Sequence, residues 1–456
     1  MKKFTKRLLG SILLLVISLT VILSSLSSCQ VIVYQANSKE EISQSITASL
    51  NNGGSNRKDV SGYLDDWKVP RYDRIKFAYF ESCFNQLFNL EGGMPEVLTH
   101  AADTARLFLE HYYDEIDLEN KTEVTDALLY CYVAAIGDPY SVYRPPVETS
   151  DYNTEMSGKF GGIGVIVEYH DADESIMINT VYPESPAEKA GIKVGDFIYA
   201  VDGVTVEEIG YLNAVSHVRG EIGTKVELTL IRGGEFVTVT ATRAEVEEIN
   251  VEMDFDSETG IAYISIVSFK ENTFDQFKEA VDEVMAAGAK GIVFDLRNNP
   301  GGYVNSVCDV ISYIIPSGHT ILSYQYKGRK ETVIQSYNEK DGSDHVIDLP
   351  ITVLCNQYTA SAGEIFTAAM RDYNKDNIVN AKIVGVNTYG KGIMQNSYYY
   401  TDDSSVTVTV AYYNPPCGVN YHGIGVCPDV IIEHSGDSDI QLLMAKSELL
   451  QMINDN

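Results

Sequence analysis

Histidine is scarce in this sequence, and the common catalytic motifs that depend on it are missing. There are eight histidines in 456 residues, and none falls in an HExxH motif or near a GxSxG motif. No Gly-rich phosphate loop or Walker motif is present either. The sequence therefore gives no support for a zinc protease, a nucleotide-binding enzyme or a Ser-His-Asp hydrolase.

Positive charge is also in short supply. Lys and Arg number 34 against 64 Asp and Glu, which gives a formal net charge of −30. Because binding to a phosphate backbone depends on basic residues that release counterions, nucleic acid is not an expected partner. The apolar fraction of 45% and the charged fraction of 21% are typical of globular chains. The length suggests about two to four domains.

The seven cysteines form no CxxC pair and show no metal-ligand spacing, so they give no support for a metal site. Cys417 and Cys427 flank a Gly-rich turn, residues 418–425, and could close a disulfide across a hairpin in an oxidising compartment, or remain free thiols. The other cysteines beyond the leader lie in apolar stretches, which is typical of buried thiols.

The N-terminus predicts export. Four basic residues within the first seven precede the apolar run 8–26, which is the pattern of a secretory signal. The run ends in Leu-Ser-Ser-Cys29, which resembles a bacterial lipobox whose cysteine is lipidated and becomes the mature N-terminus. Residues 1–29 are thus predicted as a lipoprotein signal, with Cys29 anchoring the protein at the extracytoplasmic face of the membrane. The alternative is a single uncleaved transmembrane helix.

The rest of the chain divides into four segments by composition and periodicity. Residues 30–69 are rich in Ser, Asn, Gln and Gly and are predicted to be a flexible tether. Residues 70–155 carry helical patterns, and residues 156–245 carry short β-rich runs with Gly turns. In residues 246–456, apolar strands alternate with helical patterns, which predicts an α/β layer with parallel strands.

Ser361 is a candidate nucleophile. It follows an apolar strand, 350–355, and opens a predicted helix, 361–373. At such a junction the hydroxyl lies near backbone N–H groups and the positive end of the helix dipole, which suits a nucleophile whose attack creates an oxyanion. Taken alone, an N-cap serine is the plainer interpretation.

Two more segments follow apolar strands of the same α/β layer. Lys391 stands between two glycines, and a Lys in a partly desolvated pocket can lose its proton and act as general base to a serine. Gln395 could orient its amine, although Lys391 alone would be read as a solvated turn residue. The segment 295–302 ends in a Gly-Gly turn whose amides could face a ligand, although the segment alone would be interpreted as an ordinary turn. We expect these loops and the Ser361 segment to meet at one edge of the sheet.

Together the three segments resemble the motifs of the C-terminal processing peptidases, also called tail-specific proteases. The family patterns Thr-Ala-Ser-Ala-x-Glu-Ile, Thr-Phe/Tyr-Gly-Lys-Gly-x-x-Gln and Asp-Leu-Arg-x-Asn-Pro-Gly-Gly are matched by residues 359–365, 388–395 and 295–302. Segments that begin at Gly158, Ser185 and Arg219 resemble the PDZ signatures of the family. The resemblance covers about residues 70–450 in family order.

The resemblance implies an α/β fold with a crotonase/ClpP-like protease core, an inserted β-rich PDZ domain and an N-terminal helical region. It also implies a serine endopeptidase that works through an acyl-enzyme and needs no cofactor or metal. Ser361 would be the nucleophile, Lys391 the general base and Gln395 its orienter. The backbone N–H groups of Gly302 and Ala362 would form the oxyanion hole.

The PDZ resemblance implies recognition of substrate C-termini. The loop of Gly162, Ile163, Gly164 and Val165 would bind the terminal carboxylate and the peptide main chain, and a pocket would take an apolar terminal side chain. The implied partners are proteins or peptides with apolar free C-termini and a second copy of the chain in a homodimer. Two alternatives remain: a catalytically inactive PDZ scaffold, and a hydrolase of another ester.

Overall fold

The computed structural model describes residues 38–52, 59–88, 93–170, 175–337, 346–433 and 438–455. The chain divides into two compact units, the first reaching residue 151 and including 395–411, and the second comprising 152–394 and the residues from 412 onward. The predicted signal peptide and Cys29 lie outside the described residues. Within the described ranges, no helix has both the length and the apolar character that a membrane crossing requires.

The first unit is mainly helical. Its elements are α1 (Lys39–Asn51), α2 (Val60–Asp66), α3 (Arg74–Cys83), a 3₁₀ turn (Phe84–Gln86), α4 (Val97–His111), α5 (Lys121–Ile136), β1 (Val142–Arg144) and the start of α6 (Pro146–Ser157). Helix α5 ends at Gly137, which takes the left-handed conformation, with φ 78°, that closes a helix.

The predicted tether over residues 30–69 is wrong for its described part, which contains α1 and α2. Helix α1 begins with a capping box, in which the N–H of Glu41 donates to Ser38 Oγ at 3.2 Å and Glu41 reaches back to the Ser38 N–H. Ile42 and Ile46, one turn apart, are buried. Two apolar positions in a polar segment are too few to give a clear helical period, so composition alone suggested a coil.

The second unit contains the β-rich block and the α/β layer. The elements of the β-rich block are β2 (Lys159–Gly162), β3 (Val165–His170), β4 (Ser175–Val181), α7 (Pro186–Lys189), β5 (Phe197–Val201), β6 (Val204–Thr205), α8 (Val206–Ile209), α9 (Tyr211–Val218), β7 (Lys225–Arg232), β8 (Glu235–Thr242) and β9 (Ala244–Glu247). The main sheet runs β3-β4-β5-β7-β8 with antiparallel pairing, and β2 pairs with β9. Strand β3 therefore stands at one end of its sheet.

The α/β layer follows. From residue 251 onward the elements are β10 (Val251–Asp256), β11 (Ile261–Ile266), α10 (Thr273–Ala286), β12 (Gly291–Asp295), α11 (Val304–Ile314), β13 (Thr320–Tyr324), β14 (Thr332–Gln335), β15 (Ile351–Cys355), α12 (Ala362–Lys375), β16 (Ala381–Gly385), β17 (Ile393–Tyr399), β18 (Ser405–Asn414), β19 (Val430–Ile431) and α13 (Ile440–Asp455). The parts of β17 and β18 within residues 395–411 belong to the first unit. The sheet order is β10-β11-β12-β15-β16-β19. All neighbours except β10 and β11 pair in parallel, which confirms the predicted parallel layer.

Both faces of this sheet are covered. All five residues of β12 are buried, and successive side chains point to opposite faces. Ile292 and Phe294 pack into the large core that includes α10, α11 and α12, whereas Val293 packs against Leu449 of α13. The strands therefore hold their carboxyl ends at fixed positions, and the segments that carry the predicted site residues leave from those ends.

The pairings of β1, β13 and β18, which lie outside the sheet β10-β11-β12-β15-β16-β19, were not predicted from the sequence. In the second unit, the end of β18 pairs with β13, placing Tyr324 opposite Tyr413. In the first unit, the earlier part of β18 pairs with β1, placing Val142 opposite Thr407. These pairings join segments far apart in the chain, so no local periodicity reveals them.

Candidate active site

Ser361 occupies a sharp turn between β15 and α12. Its φ of 53° and ψ of −117° lie in a region that residues other than glycine rarely adopt. Such backbone strain costs about 1–3 kcal/mol and persists only where surrounding contacts enforce it. The turn places Ser361 at the N-cap position of α12, as the sequence predicts.

The loop after β12 packs directly on this turn. A Cβ added to Gly301, whose φ is 103°, would lie 2.7 Å from the Ser361 Cβ, so only glycine fits there. The Ala360 N–H donates to the Asn299 carbonyl at 2.9 Å. The buried Asn299 side chain in turn accepts from the Gly301 N–H at 2.8 Å and donates to the Ile266 carbonyl at 2.7 Å. The predicted 295–302 loop and the Ser361 segment are thus held together.

Glu364 connects the Ser361 turn to the lysine loop. Its side chain is fully buried. Oε2 accepts from the N–H of Ser361 at 3.0 Å and from the N–H of Lys391 at 2.7 Å. Oε1 accepts from the Gly390 N–H and from the Thr388 hydroxyl, both at 2.6 Å. One buried carboxylate therefore fixes the main chain of both predicted catalytic residues.

In the sequence, Glu364 belongs to the motif at residues 359–365, but the motif does not show what its side chain binds. A signal was present, because Ser361 and Glu364 have the S-x-x-E spacing of a capping box, in which the acidic side chain reaches back to the N-cap N–H. The contact with the lysine loop, 27 residues from Glu364 at Lys391, does not follow from that spacing.

Of the two predicted oxyanion-hole donors, Ala362 directly follows Ser361 in the chain, and Gly302 follows Gly301, which packs on Ser361. Ala362 is the first residue of α12, where N–H groups have no acceptor within the helix. Gly302 faces Phe269 in an isolated parallel bridge that uses the carbonyl of Gly301 and the N–H of the residue after Gly302. The bridge leaves the Gly302 N–H unused, and its role in an oxyanion hole stays a prediction.

Gln395, predicted to orient Lys391, belongs to the first unit, whereas Lys391 belongs to the second. Within the first unit its side-chain amide donates to Thr409 Oγ1 at 3.4 Å. Its role toward Lys391 stays a prediction.

Arg297 forms an ion-pair network at the carboxyl end of β12. Its guanidinium bonds Asp295 at 2.6 Å and both carboxylate oxygens of Asp439 at 2.7 and 2.8 Å. Burial alone would lower the pKa of Arg297, but the hydrogen bonds to Asp439 and Asp295 raise it above its usual value. Arg297 therefore stays charged and ties β12 to the start of α13, which is a structural role.

A cavity of about 340 Å³ lies beside β3. The four residues predicted to bind peptide, Gly162 to Val165, line it together with Tyr211, Val215 and Val218 of α9. Most of the lining side chains are apolar. The arrangement offers loop main chain and an apolar pocket in the same groove.

The cysteines complete the list of predicted sites. Cys417 and Cys427 are both exposed free thiols, so the predicted disulfide is not formed in the structure. Their surroundings differ: the N–H of Cys417 donates to Asp372 at 3.1 Å, whereas the Cys427 thiol faces the Pro428 carbonyl. The other cysteines that the structure describes are buried, as expected. Over the same residues, no group of three or more His, Cys, Asp or Glu is arranged to hold a metal ion.

Comparison with known families identifies two segments of the chain. The model described as "Peptidase family S41" matches residues 260–432, which include Ser361 and Lys391. Residues 260–432 belong to peptidase family S41. A PDZ domain model matches residues 177–232, inside the β-rich block. The chain is therefore mixed α/β, with an S41 core and a PDZ domain, which confirms the predicted fold class.

Two relatives carry the name "Probable CtpA-like serine protease". The relative from Staphylococcus haemolyticus is 35% identical over 314 residues, which cover 69% of this chain and 61% of the relative. The relative from Staphylococcus saprophyticus is 34% identical over 334 residues, covering 73% of this chain and 65% of the relative. The S41 core and its flanks thus span less than two thirds of the length of these relatives.

A solved structure titled "Putative S41 protease" from Bacteroides fragilis also matches. Its TM-score is 0.50 at 16% identity, and the match covers 83% of this chain and 97% of that one. At this level of identity the likeness concerns the fold of the S41 core and its flanking domains alone.

Proposed function

We propose that the chain is an extracytoplasmic serine endopeptidase that recognises substrate C-termini through its PDZ domain and cleaves with a Ser361/Lys391 dyad. The observation that carries the proposal is the shared bond to Glu364 Oε2, which accepts from the main chain of both residues. The S41 family match and the names of the relatives support peptidase activity.

In the proposed reaction, the free amine of Lys391 accepts the proton of the Ser361 hydroxyl while Oγ bonds the substrate carbonyl carbon. The carbonyl oxygen becomes an oxyanion, which the N–H groups of Gly302 and Ala362 stabilise. Lys391 then gives its proton to the leaving amine as the C–N bond breaks. Water next loses a proton to Lys391 and attacks the acyl carbon, and Ser361 leaves with that proton.

Recognition of the substrate C-terminus would use the edge of β3. An extended peptide would add to β3 as a further strand, since β3 ends its sheet. The main-chain N–H groups of the Gly162–Val165 loop would bind the terminal carboxylate, and the apolar lining near Val215 would take the last side chain. Apolar free C-termini fit this groove best, because a charged terminal side chain would lose its hydration there.

The dyad is tested with a peptide that has an apolar free C-terminus. We expect Ser361→Ala and Lys391→Ala to lower kcat by at least about 1000-fold, because each removes a group that acts in the transition state. The exposed Lys327→Ala is the matched control and should cleave like the wild type. The same peptide with an amidated C-terminus should show a raised KM.

The outcomes separate the alternatives. Cleavage by Ser361→Ala or Lys391→Ala at the wild-type rate would refute the dyad. Binding of the free C-terminus without cleavage by the wild type would favour the inactive PDZ scaffold.

We also propose that lipidated Cys29 anchors the protein at the outer face of the membrane. The motif Leu-Ser-Ser-Cys29 after a basic start and an apolar run supports this. Mass spectrometry of the mature N-terminus should find an acylated Cys29. An intact Met1 would instead support the transmembrane helix.

A further inference from the structure

Two buried tyrosines beside the proposed dyad have no part in the reaction described above. Tyr413, at the end of β18, and Tyr421 are 1% and 4% exposed. Their rings meet edge to face, with centroids 5.9 Å apart. A buried hydroxyl is costly unless it is hydrogen-bonded, so the partners of these two phenols show what they hold in place.

The hydrogen bonds of Tyr413 have a defined direction. Its Oη donates to the main-chain carbonyl of Lys391 at 2.6 Å, and this carbonyl can only accept. A phenol has one proton, so the bond of 3.2 Å between the two tyrosine hydroxyls must use the proton of Tyr421. Tyr413 Oη is therefore left with one further acceptor site.

The Ser361 side chain lies close enough to Tyr413 to influence that site. Burial raises the pKa of Tyr413, and hydrogen bonds with Tyr421 and with the Ser361 side chain act in the opposite direction. Since the proton of Tyr413 is committed to the Lys391 carbonyl, a hydrogen bond between the Ser361 and Tyr413 hydroxyls would use the proton of Ser361. Tyr413 thus bonds the main chain of the proposed base, and its hydroxyl is influenced by the side chain of the proposed nucleophile.

The main chain of Tyr413 supports the same loop. Its N–H donates to the carbonyl of Gly392 at 3.3 Å. Asn420 donates to the Gly392 carbonyl at 2.9 Å and also to the carbonyl of Tyr413. The loop that carries Lys391 is therefore bound from β18 at two successive carbonyls.

We propose that Tyr413, with its hydroxyl directed by Tyr421, is a positioning residue for the Ser361/Lys391 dyad. It fixes the carbonyl of Lys391 and accepts from the Ser361 hydroxyl in the resting enzyme, so that nucleophile and base keep one separation. Its own proton is not transferred. The inference rests on the proposed dyad.

The test compares Tyr413→Phe, Tyr421→Phe and Tyr373→Phe by kcat, KM, the pH profile of kcat and thermal unfolding. Tyr373→Phe is the matched control, because its buried hydroxyl also donates to a main-chain carbonyl, that of Thr320 at 2.7 Å, but it lies near the far end of α12. All three variants should unfold at lower temperature than the wild type.

Tyr413→Phe should lower kcat by about 10- to 100-fold, with KM within about twofold, because a misplaced base loop slows the chemical step. The acidic limb of the kcat profile should move to higher pH, since a looser loop admits water that stabilises the lysine ammonium. Tyr421→Phe should lower kcat by about two- to fivefold, since Tyr413 keeps its bond to Lys391. Tyr373→Phe should leave kcat and the pH profile unchanged.

Wild-type kcat and an unshifted acidic limb in Tyr413→Phe would overturn the proposal and leave Tyr413 a structural residue. If Tyr413→Phe does not fold, Tyr421→Phe decides: a kcat no lower than that of Tyr373→Phe overturns the proposal. The proposal of a Ser361/Lys391 dyad is tested separately. Cleavage by Ser361→Ala or Lys391→Ala at the wild-type rate would refute the dyad and would overturn this inference too.

Discussion

The S41 core and the PDZ domain each contain a buried charged side chain bonded mainly to the main chain, but the two act in different places. Glu364 accepts from three main-chain N–H groups and one hydroxyl in the Ser361 turn and the lysine loop. Arg243, 8% exposed, donates to the carbonyls of His217, Val218 and Lys225 and to the Thr224 hydroxyl.

The partners decide what each residue controls. The donors to Glu364 include the residues proposed for the chemistry, so its loss should displace reacting groups. The acceptors for Arg243 lie at the end of α9, in the loop that follows and at the start of β7. Helix α9 lines the peptide groove. Its loss should alter the shape of the groove and leave the reacting atoms in place. Variants of the two regions should therefore separate kcat from KM.

The largest effect is expected for Glu364→Gln. The amide has nearly the same shape, but its nitrogen donates, so one pair of the four donors loses its acceptor. Each buried donor left unpaired costs about 1–3 kcal/mol, and a displacement of about 1 Å at the dyad is enough for a 100-fold loss of rate. We expect kcat to fall at least about 100-fold, measured by peptide cleavage, with a lower unfolding temperature.

The exposed Glu283→Gln on α10 is the control for this substitution and should behave like the wild type. A folded Glu364→Gln protein with wild-type kcat and a raised KM would contradict the expected difference between the two regions. The Glu364 carboxylate would then affect substrate binding and not the chemical step.

The sequence predicts the secondary structure of the S41 core well because its strands are buried on both faces. Continuous apolar runs such as 291–296 and 350–355 can be predicted as strands without knowledge of the strands that pair with them. Gly137 marks a helix end because glycine readily adopts the left-handed conformation found there. The candidate dyad could be predicted from the sequence for a related reason, since Ser361 and Lys391 each follow such a strand.

What the sequence does not reveal depends on contacts between distant segments. Helix α1 buries only Ile42 and Ile46 among polar residues, so its composition resembles a linker. Tyr413 and Tyr421 lie on no motif that assigns them a role, and their relevance appears only when β18 brings the Tyr413 hydroxyl to the Lys391 carbonyl. The hydrogen bonds of Glu364 to the loop of Lys391 also join distant segments of the chain, so the sequence does not reveal them.

An intermediate effect is expected for Val215→Glu in the peptide groove. The substitution places a carboxylate among apolar side chains and near the terminal carboxylate of the proposed ligand, so both desolvation and repulsion oppose binding. The Kd for a peptide with an apolar free C-terminus should rise at least about tenfold, measured by fluorescence anisotropy, whereas kcat at saturation should stay within about twofold.

Leu212→Glu provides the matched control, because Leu212 is on the same helix but 78% exposed. Its Kd should equal that of the wild type. Equal weakening by both variants would mean that added negative charge, and not the groove, determines binding.

The smallest functional effect is expected for Arg243→Lys. The ammonium keeps the charge but cannot reach four acceptors that a guanidinium satisfies from three nitrogens, so buried carbonyls near the end of α9 lose their partners. Unfolding should occur several degrees lower, and the peptide KM should rise about threefold with kcat unchanged.

Arg232→Lys is the matched control, since Arg232 is also a PDZ arginine with a strong partner, Asp196, but does not line the groove. It should lose stability without a change in KM. Equal KM values in the two variants would show that Arg243 only stabilises the domain. A fall in kcat for Arg243→Lys would show that the hydrogen bonds of Arg243 also affect the chemical step. The effects of the two regions on kcat and KM would then not be separable.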